Sequence, residues 1–91
     1  MEDLYRQRAS VMKAFADPTR LKIIEILRDG EKCVCVLTSE LGMPQSTLSY
    51  HMKVLQDAGL VKRTEVGKWS HYELSAEGKE SALSVLSDIL S

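Results

Sequence analysis

Cys33 and Cys35 stand two positions apart in the stretch EKCVCVLT and are the only thiols in a chain of 91 residues. A thiolate pair is a soft donor set, better matched to As(III), Sb(III), Cd(II) or Pb(II) than to Mg(II) or Ca(II), and the same pair can be oxidised. So short a motif also admits a plain reading, two small side chains packed among apolar neighbours. Position favours chemistry. Cys33 falls just before a helix start and Cys35 in its first turn, where free N–H groups, the helix dipole and nearby Lys32 all favour a thiolate. The opening MEDLYRQRAS has no apolar leader centre and no run reaches the roughly 18 apolar residues of a membrane span. A cytoplasmic protein away from membranes is therefore expected, one in which two cysteines would not form a permanent disulfide.

A second group of residues could contact a partner. Between Gln45 and Gly59 a helix is expected, and at 100° per residue Leu48, Met52 and Leu55 fall on one side of it while Ser46, Ser49, Tyr50, Lys53 and Asp57 fall on the other. Gln45, Ser46, Thr47, Ser49 and Tyr50 are compact donors and acceptors suited to base edges and phosphates in a DNA major groove. The alternative is a solvated polar face with no partner. His51, at the edge of the apolar arc, is better placed for packing or a phosphate contact than for catalysis.

Several elements must hold these residues in place. A short helix over residues 34–41 should end at Gly42, which can take the left-handed conformation, with Met43 and Pro44 turning the chain into the next helix. The result is a helix-turn-helix over about residues 34–59. Upstream, Leu4, Val11, Met12 and Phe15 recur on one side of an amphipathic helix, and Asp17-Pro18 starts another over residues 19–29 that should bury Leu21, Ile24 and Leu27 with Ile23 and Ile26 flanking. Downstream, residues 60–66 and 69–74 read as two strands joined by Gly67-Lys68 in a type II′ turn. That register sets Val66 opposite Trp69, Thr64 opposite His71, Arg63 opposite Tyr72 and Lys62 opposite Glu73. Such a hairpin, over about residues 60–74, is either a DNA-contacting wing with cations near its tip or a plain structural ribbon. Ser75 should cap a last helix whose Ala82, Leu83, Val85, Leu86, Ile89 and Leu90 spread over an arc of about 160°, wider than one packing face needs. The excess, with that of the first helix, suits a twofold dimer. The expected fold is mainly α with a small β-hairpin: one winged helix-turn-helix domain over residues 1–91, with five helices and a two-stranded wing.

Charge is distributed in keeping with this reading. The net charge is −1, but residues 44–72 carry Lys53, Lys62, Arg63 and Lys68 against Asp57 and Glu65, while residues 73–91 are acidic. A patch this modest implies few phosphate contacts per subunit, doubled in a dimer. One thin domain leaves little room for a substrate cleft, so an enzyme, including a thiol oxidoreductase, is not expected.

In order and spacing, ADPTRLKIIEIL, ELGMPQSTLSYHMKVLQDAGLV and GKWSHYELS resemble the winged-helix repressors of the ArsR/SmtB family, over roughly residues 10–78. The resemblance implies a homodimer that binds double-stranded operator DNA at an inverted repeat and lets go when a metal or metalloid binds. It implies DNA contacts from Gln45, Ser46, Thr47, Ser49 and Tyr50, with Lys53 on the same face and the wing around Lys68 along the backbone. The thiol site of the arsenic and cadmium branches has the form ELCVCDLC or ELCVCDI, and EKCVCVLT supplies Cys33 and Cys35 at that spacing. Val36 replaces its Asp, and Thr38 stands where the arsenic form has a third Cys. The zinc and nickel branches use Asp and His on the last helix, which here has Asp88 but no His, so a site of that type is not expected.

On an intact helix, side chains at i and i+2 point about 200° apart, so two sulfurs could share an ion only if binding remodelled the helix start. Remodelling would shift the reading helix behind it. Three functions remain open: a repressor released by a thiophilic ion at Cys33 and Cys35, a repressor switched by oxidation of the same thiols, and a winged-helix module that binds protein.

Overall fold

The computed structural model describes residues 2–91. Its elements run α1 (Glu2–Phe15), α2 (Pro18–Leu27), β1 (Lys32–Cys33), α3 (Val34–Leu41), α4 (Gln45–Asp57), β2 (Val61–Val66), β3 (Trp69–Leu74) and α5 (Ala76–Leu90). This is the winged helix-turn-helix expected from the sequence, with one strand more than the two-stranded wing.

Local chemistry sets the boundaries. The Asp17 carboxylate accepts the Arg20 N–H at 3.1 Å and Pro18 begins the first turn of α2. At the end of α3, Gly42 takes φ 63°, and the turn through Met43 and Pro44 delivers the chain to α4. Helix α4 closes on paired bonds, Leu60 N–H to the Leu55 carbonyl and Gly59 N–H to that of Gln56, with Gly59 at φ 76°. Ser75 caps α5 by accepting the Gly78 N–H at 3.0 Å.

The hairpin has the expected register throughout, from Val61 opposite Leu74 to Val66 opposite Trp69. Gly67 has φ 62° while among the described residues none other than glycine has a positive φ, which fits a type II′ turn rather than type I′. The added strand β1 pairs antiparallel with β3, giving the order β1-β3-β2, with Lys32 opposite Tyr72 and Cys33 opposite His71.

The core gathers Ile23, Leu27, Leu37, Leu48, Met52 and Leu55, all fully buried, with Tyr72 from the sheet and Ala14 and Ala82 from the flanking helices. Each large side chain contributes about 1.5–3 kcal/mol on burial. Helix α2 departs from its expected face. Ile23 and Leu27 are inward, whereas Leu21 is half exposed. Arg20 causes this rotation: its guanidinium occupies an inward position, donating from Nη2 to the Lys13 carbonyl at 2.9 Å, so the buried stripe runs Arg20, Ile23, Leu27. On α1 likewise, Val11 and Ala14 are buried while Leu4 and Phe15 stay exposed. One backbone contact fixes α5. A methyl group built on Gly78 would overlap the Gly59 carbonyl, so the start of α5 lies directly against the end of α4.

Candidate nucleic-acid interface and thiol site

Helix α4 is divided sharply. Leu48, Met52 and Leu55 have no exposure, and Gln45, Ser46, Thr47, Ser49, Tyr50 and Lys53 are all exposed on the opposite side. Because Pro44 caps the helix without a side-chain hydrogen bond, the N–H groups of its first turn, beside Gln45, Ser46 and Thr47, are free to meet an anion. Lys53 holds Asp57 at 2.9 Å, one turn on, and on the wing Arg63 holds Glu65 at 2.7 Å. Pairs this exposed contribute little and yield readily to a phosphate. Among the described residues Lys62 and Lys68 make no ion pair, which leaves both ammonium groups available. Ser70 donates to Glu65 at 2.9 Å and, with Arg63, holds that carboxyl below its ordinary range, while burial pushes the Tyr72 phenol up.

The middle of α4 is fastened by a polar contact that sequence reasoning did not find. Arg20 Nη1 donates to His51 Nδ1 at 3.0 Å, and Asp17 Oδ2 lies 3.9 Å from the same nitrogen. An arginine can only donate, so Nδ1 is the acceptor of this bond. The His51 side chain, only 12% exposed, is thus held by a polar contact on the inner edge of α4. The Arg20 backbone N–H at the helix cap holds the Asp17 carboxyl below its ordinary value, helped by the guanidinium.

Around the cysteines the structure changes two expectations. Cys33 is the N-cap of α3, with extended backbone (φ −66°, ψ 146°), so the helix begins after it and the 200° separation does not apply. The two Cα atoms are 5.2 Å apart and the sulfurs are joined as a Cys33–Cys35 disulfide, although a lasting disulfide was not expected. Cys33 Sγ also accepts the Cys35 N–H at 3.3 Å, doing the work of a capping oxygen. The Thr38 hydroxyl donates to the Cys35 carbonyl at 3.0 Å and, as a neutral oxygen, is a poor donor for a soft ion. Across the ladder from Cys33 stands His71, whose Nδ1 lies 2.9 Å from Glu31 Oε1. Among the described residues no three His, Cys, Asp or Glu side chains are already set to hold a metal ion. The donor set of two sulfurs fits a soft ion once the thiols are reduced.

The arrangement of reading helix and wing is shared by known proteins. Residues 17–63 match the family described as "Bacterial regulatory protein, arsR family". The chain is 42% identical over 83 residues to the arsenical resistance operon repressor of Bacillus subtilis strain 168, covering 90% of this chain and 79% of that protein.

The chain belongs to the ArsR family.

It is 36% identical over 81 residues to a cadmium resistance transcriptional regulatory protein, a CadC homolog from Staphylococcus aureus, covering 84% of this chain and 67% of that protein. The homodimeric winged helix-turn-helix DNA-binding domain of a possible ArsR-family regulator from Mycobacterium bovis superposes with a TM-score of 0.77 at 30% identity, over 96% of this chain and 83% of the other. As an ArsR-family member the chain is a DNA-binding transcriptional regulator and not an enzyme. None of its described helices is long and apolar enough to cross a membrane.

Proposed function

We propose that this ArsR-family regulator is a homodimeric repressor that leaves its operator when a thiophilic ion, of the class As(III), Sb(III), Cd(II) or Pb(II), binds Cys33 and Cys35. The observation that carries the reading is the position of the thiols. They form the cap of α3, and α3 passes through a three-residue turn into α4. In the repressing state Gln45, Ser46, Thr47, Ser49, Tyr50 and Lys53 enter the major groove while Lys68 on the wing meets the backbone. Two such helices, related by a twofold axis and about one DNA turn apart, match an inverted repeat. The apolar surface left exposed on α5 (Leu83, Leu86, Ile89, Leu90) and α1 (Leu4, Tyr5, Phe15) supplies the dimer interface.

Because Cys33 lies outside the helix, two thiolates can close on one ion without unwinding α3. Release instead follows from the cap. An ion takes Sγ away from the Cys35 N–H, and α3 adjusts against β1 and carries α4 with it. To be an effective inducer the ion must favour the non-binding arrangement by about 3–5 kcal/mol.

A second reading is favoured by the Cys33–Cys35 pairing itself, namely that oxidation of the dithiol is the signal. Titration of As(III) and of Cd(II) against a fluorescent operator complex separates the two. Ion-driven release from reduced protein, lost in both Cys33→Ser and Cys35→Ser although each still binds DNA, is the expected result. Release by oxidant alone, reversed by dithiothreitol, with no response to either ion, would replace the metal reading by the redox one.

A further inference from the structure

Two sulfurs leave the coordination of most soft ions incomplete, and position 38 does not finish it: the Thr38 hydroxyl is a neutral oxygen and a poor donor for a soft ion. The sheet offers another donor. Cys33 and His71 are direct partners in the β1–β3 ladder, so their side chains leave the same face of the sheet with Cβ atoms about 4.5–5.5 Å apart. Glu31, just before β1, lies with Oε1 2.9 Å from His71 Nδ1. The carboxylate engages Nδ1, so Nε2 is the nitrogen left to face an incoming ion. This is the carboxylate–imidazole relation that orients histidines towards metals. His71 is partly exposed, so an ion can reach it from solvent.

Resting on the proposed role of the thiols, the geometry points to His71 as the third ligand, through Nε2, of an ion held by Cys33 and Cys35, with Glu31 as the carboxylate that orients it. Metal–ligand bonds, about 2.0–2.3 Å for zinc and longer for the larger Cd(II), are of the scale needed to span one cross-strand pair. Loading needs the dithiol. A small-molecule thiol supplies two electrons and two protons to open the Cys33–Cys35 bond and leaves as its own disulfide; the incoming ion then displaces the two thiol protons to solvent. Within the proposed class of inducers, two thiolates with one imidazole suit a divalent ion such as Cd(II) better than As(III), which is best served by three thiolates. The site therefore narrows the inducer class. It also joins the cap of α3 to β3, the strand that leads away from the wing tip, so one ion bears on both DNA-contacting elements.

The test uses reduced full-length protein and Cd(II). X-ray absorption at the cadmium edge should show two sulfur ligands together with the outer-shell scattering of an imidazole, and the imidazole signature should vanish in His71→Ala and His71→Gln. Thiolate-to-Cd(II) charge-transfer absorption should survive in both variants with affinity at least tenfold lower. Glu31→Gln should weaken binding by about tenfold while the imidazole signature remains. Melting of the ion-free variants checks that each is folded, and the wild-type spectrum decides the matter even if a variant is not. Absence of imidazole scattering in wild-type protein, or wild-type affinity in both His71 variants with loss only in Cys33→Ser and Cys35→Ser, would overturn the role of His71 and leave the thiol reading intact. Charge-transfer absorption that survives in the cysteine variants would overturn both.

Discussion

The two ends of the helix-turn-helix are built in opposite ways. Helix α4 has three side chains at zero exposure, a polar clasp from Arg20 to His51 and a close backbone contact between Gly59 and Gly78. The start of α3 has a partly buried Cys33, a two-residue strand and, beside the Cys33–Cys35 disulfide, a single weak N–H···S cap. Such differences in burial and bonding set where a fold opens first. A regulator gains from this division: the surface proposed to read DNA must keep its shape, while the corner proposed to sense must be able to move. Cys33 and Cys35 sit where little is lost when they change partners.

The sharpest way to break the comparison is to weaken the anchored end. Leu48→Ala removes a fully buried side chain from the core face of α4 and should cost about 2–5 kcal/mol, read as a fall in denaturation midpoint with an unchanged denaturant slope. A loss below 1 kcal/mol would mean that α4 is no better anchored than α3. Gly78→Ala comes next. Its methyl would meet the Gly59 carbonyl, and moving α5 off the end of α4 should cost about 1–3 kcal/mol by the same measurement. Helix propensity alone would favour alanine there, so the sign of the change tests the contact.

These two variants also mark the limit of what could be read in the sequence. The apolar period of α4 was plain because Leu48, Met52 and Leu55 recur at helical spacing, and the hairpin register followed from one turn, Gly67-Lys68. The caps at Asp17, Gly42 and Ser75 were equally legible, since each depends on residues within a few positions. What escaped needed contacts distant in sequence. Leu21 was expected inward on α2, and only the contacts of Arg20 with the Lys13 carbonyl and His51 explain why Arg20 is inward and Leu21 outward. Strand β1, two residues long, is too short to show alternation, so the pairing of Cys33 with His71 left no trace in the pattern. The contact of Gly78 with the Gly59 carbonyl likewise joins residues far apart in the chain and leaves no local signal.

At the DNA surface the comparison is sharpened by variants that should spare stability. Ser46→Ala and Tyr50→Ala are expected to weaken operator binding by about 1–3 kcal/mol, and Lys68→Ala to weaken binding to any DNA more evenly while lowering the salt slope. Fluorescence anisotropy on operator and scrambled duplexes at several salt concentrations measures both. Unchanged sequence preference in Tyr50→Ala would place the reading face elsewhere on α4.

The Asp17 cap gives a smaller effect with a definite sign. Its carboxyl is held below the ordinary value by the Arg20 N–H, so the folded state binds that proton less readily than the unfolded chain. The stabilisation is complete above the unfolded value, near pH 4, and disappears as pH falls through the lower folded value. Asp17→Asn keeps a capping oxygen but cannot ionise. Melting curves of the two proteins from pH 6 down to pH 3 should therefore converge, and parallel curves would show that the cap acts without its charge.

The smallest change is expected at the proposed sensing corner. Under reducing conditions Cys33→Ser should alter stability by about 1 kcal/mol or less, because a serine hydroxyl accepts the Cys35 N–H at least as well as sulfur does and serine is a favoured N-cap. Only the modest packing of a half-buried sulfur is given up. The same substitution is the one expected to abolish ion-driven release, so stability and response should separate there. At α4 the two readouts should fall together when the core is cut. If Cys33→Ser instead destabilised the chain as much as Leu48→Ala does, the thiol would belong to the scaffold, and a response lost in that variant would say nothing about sensing.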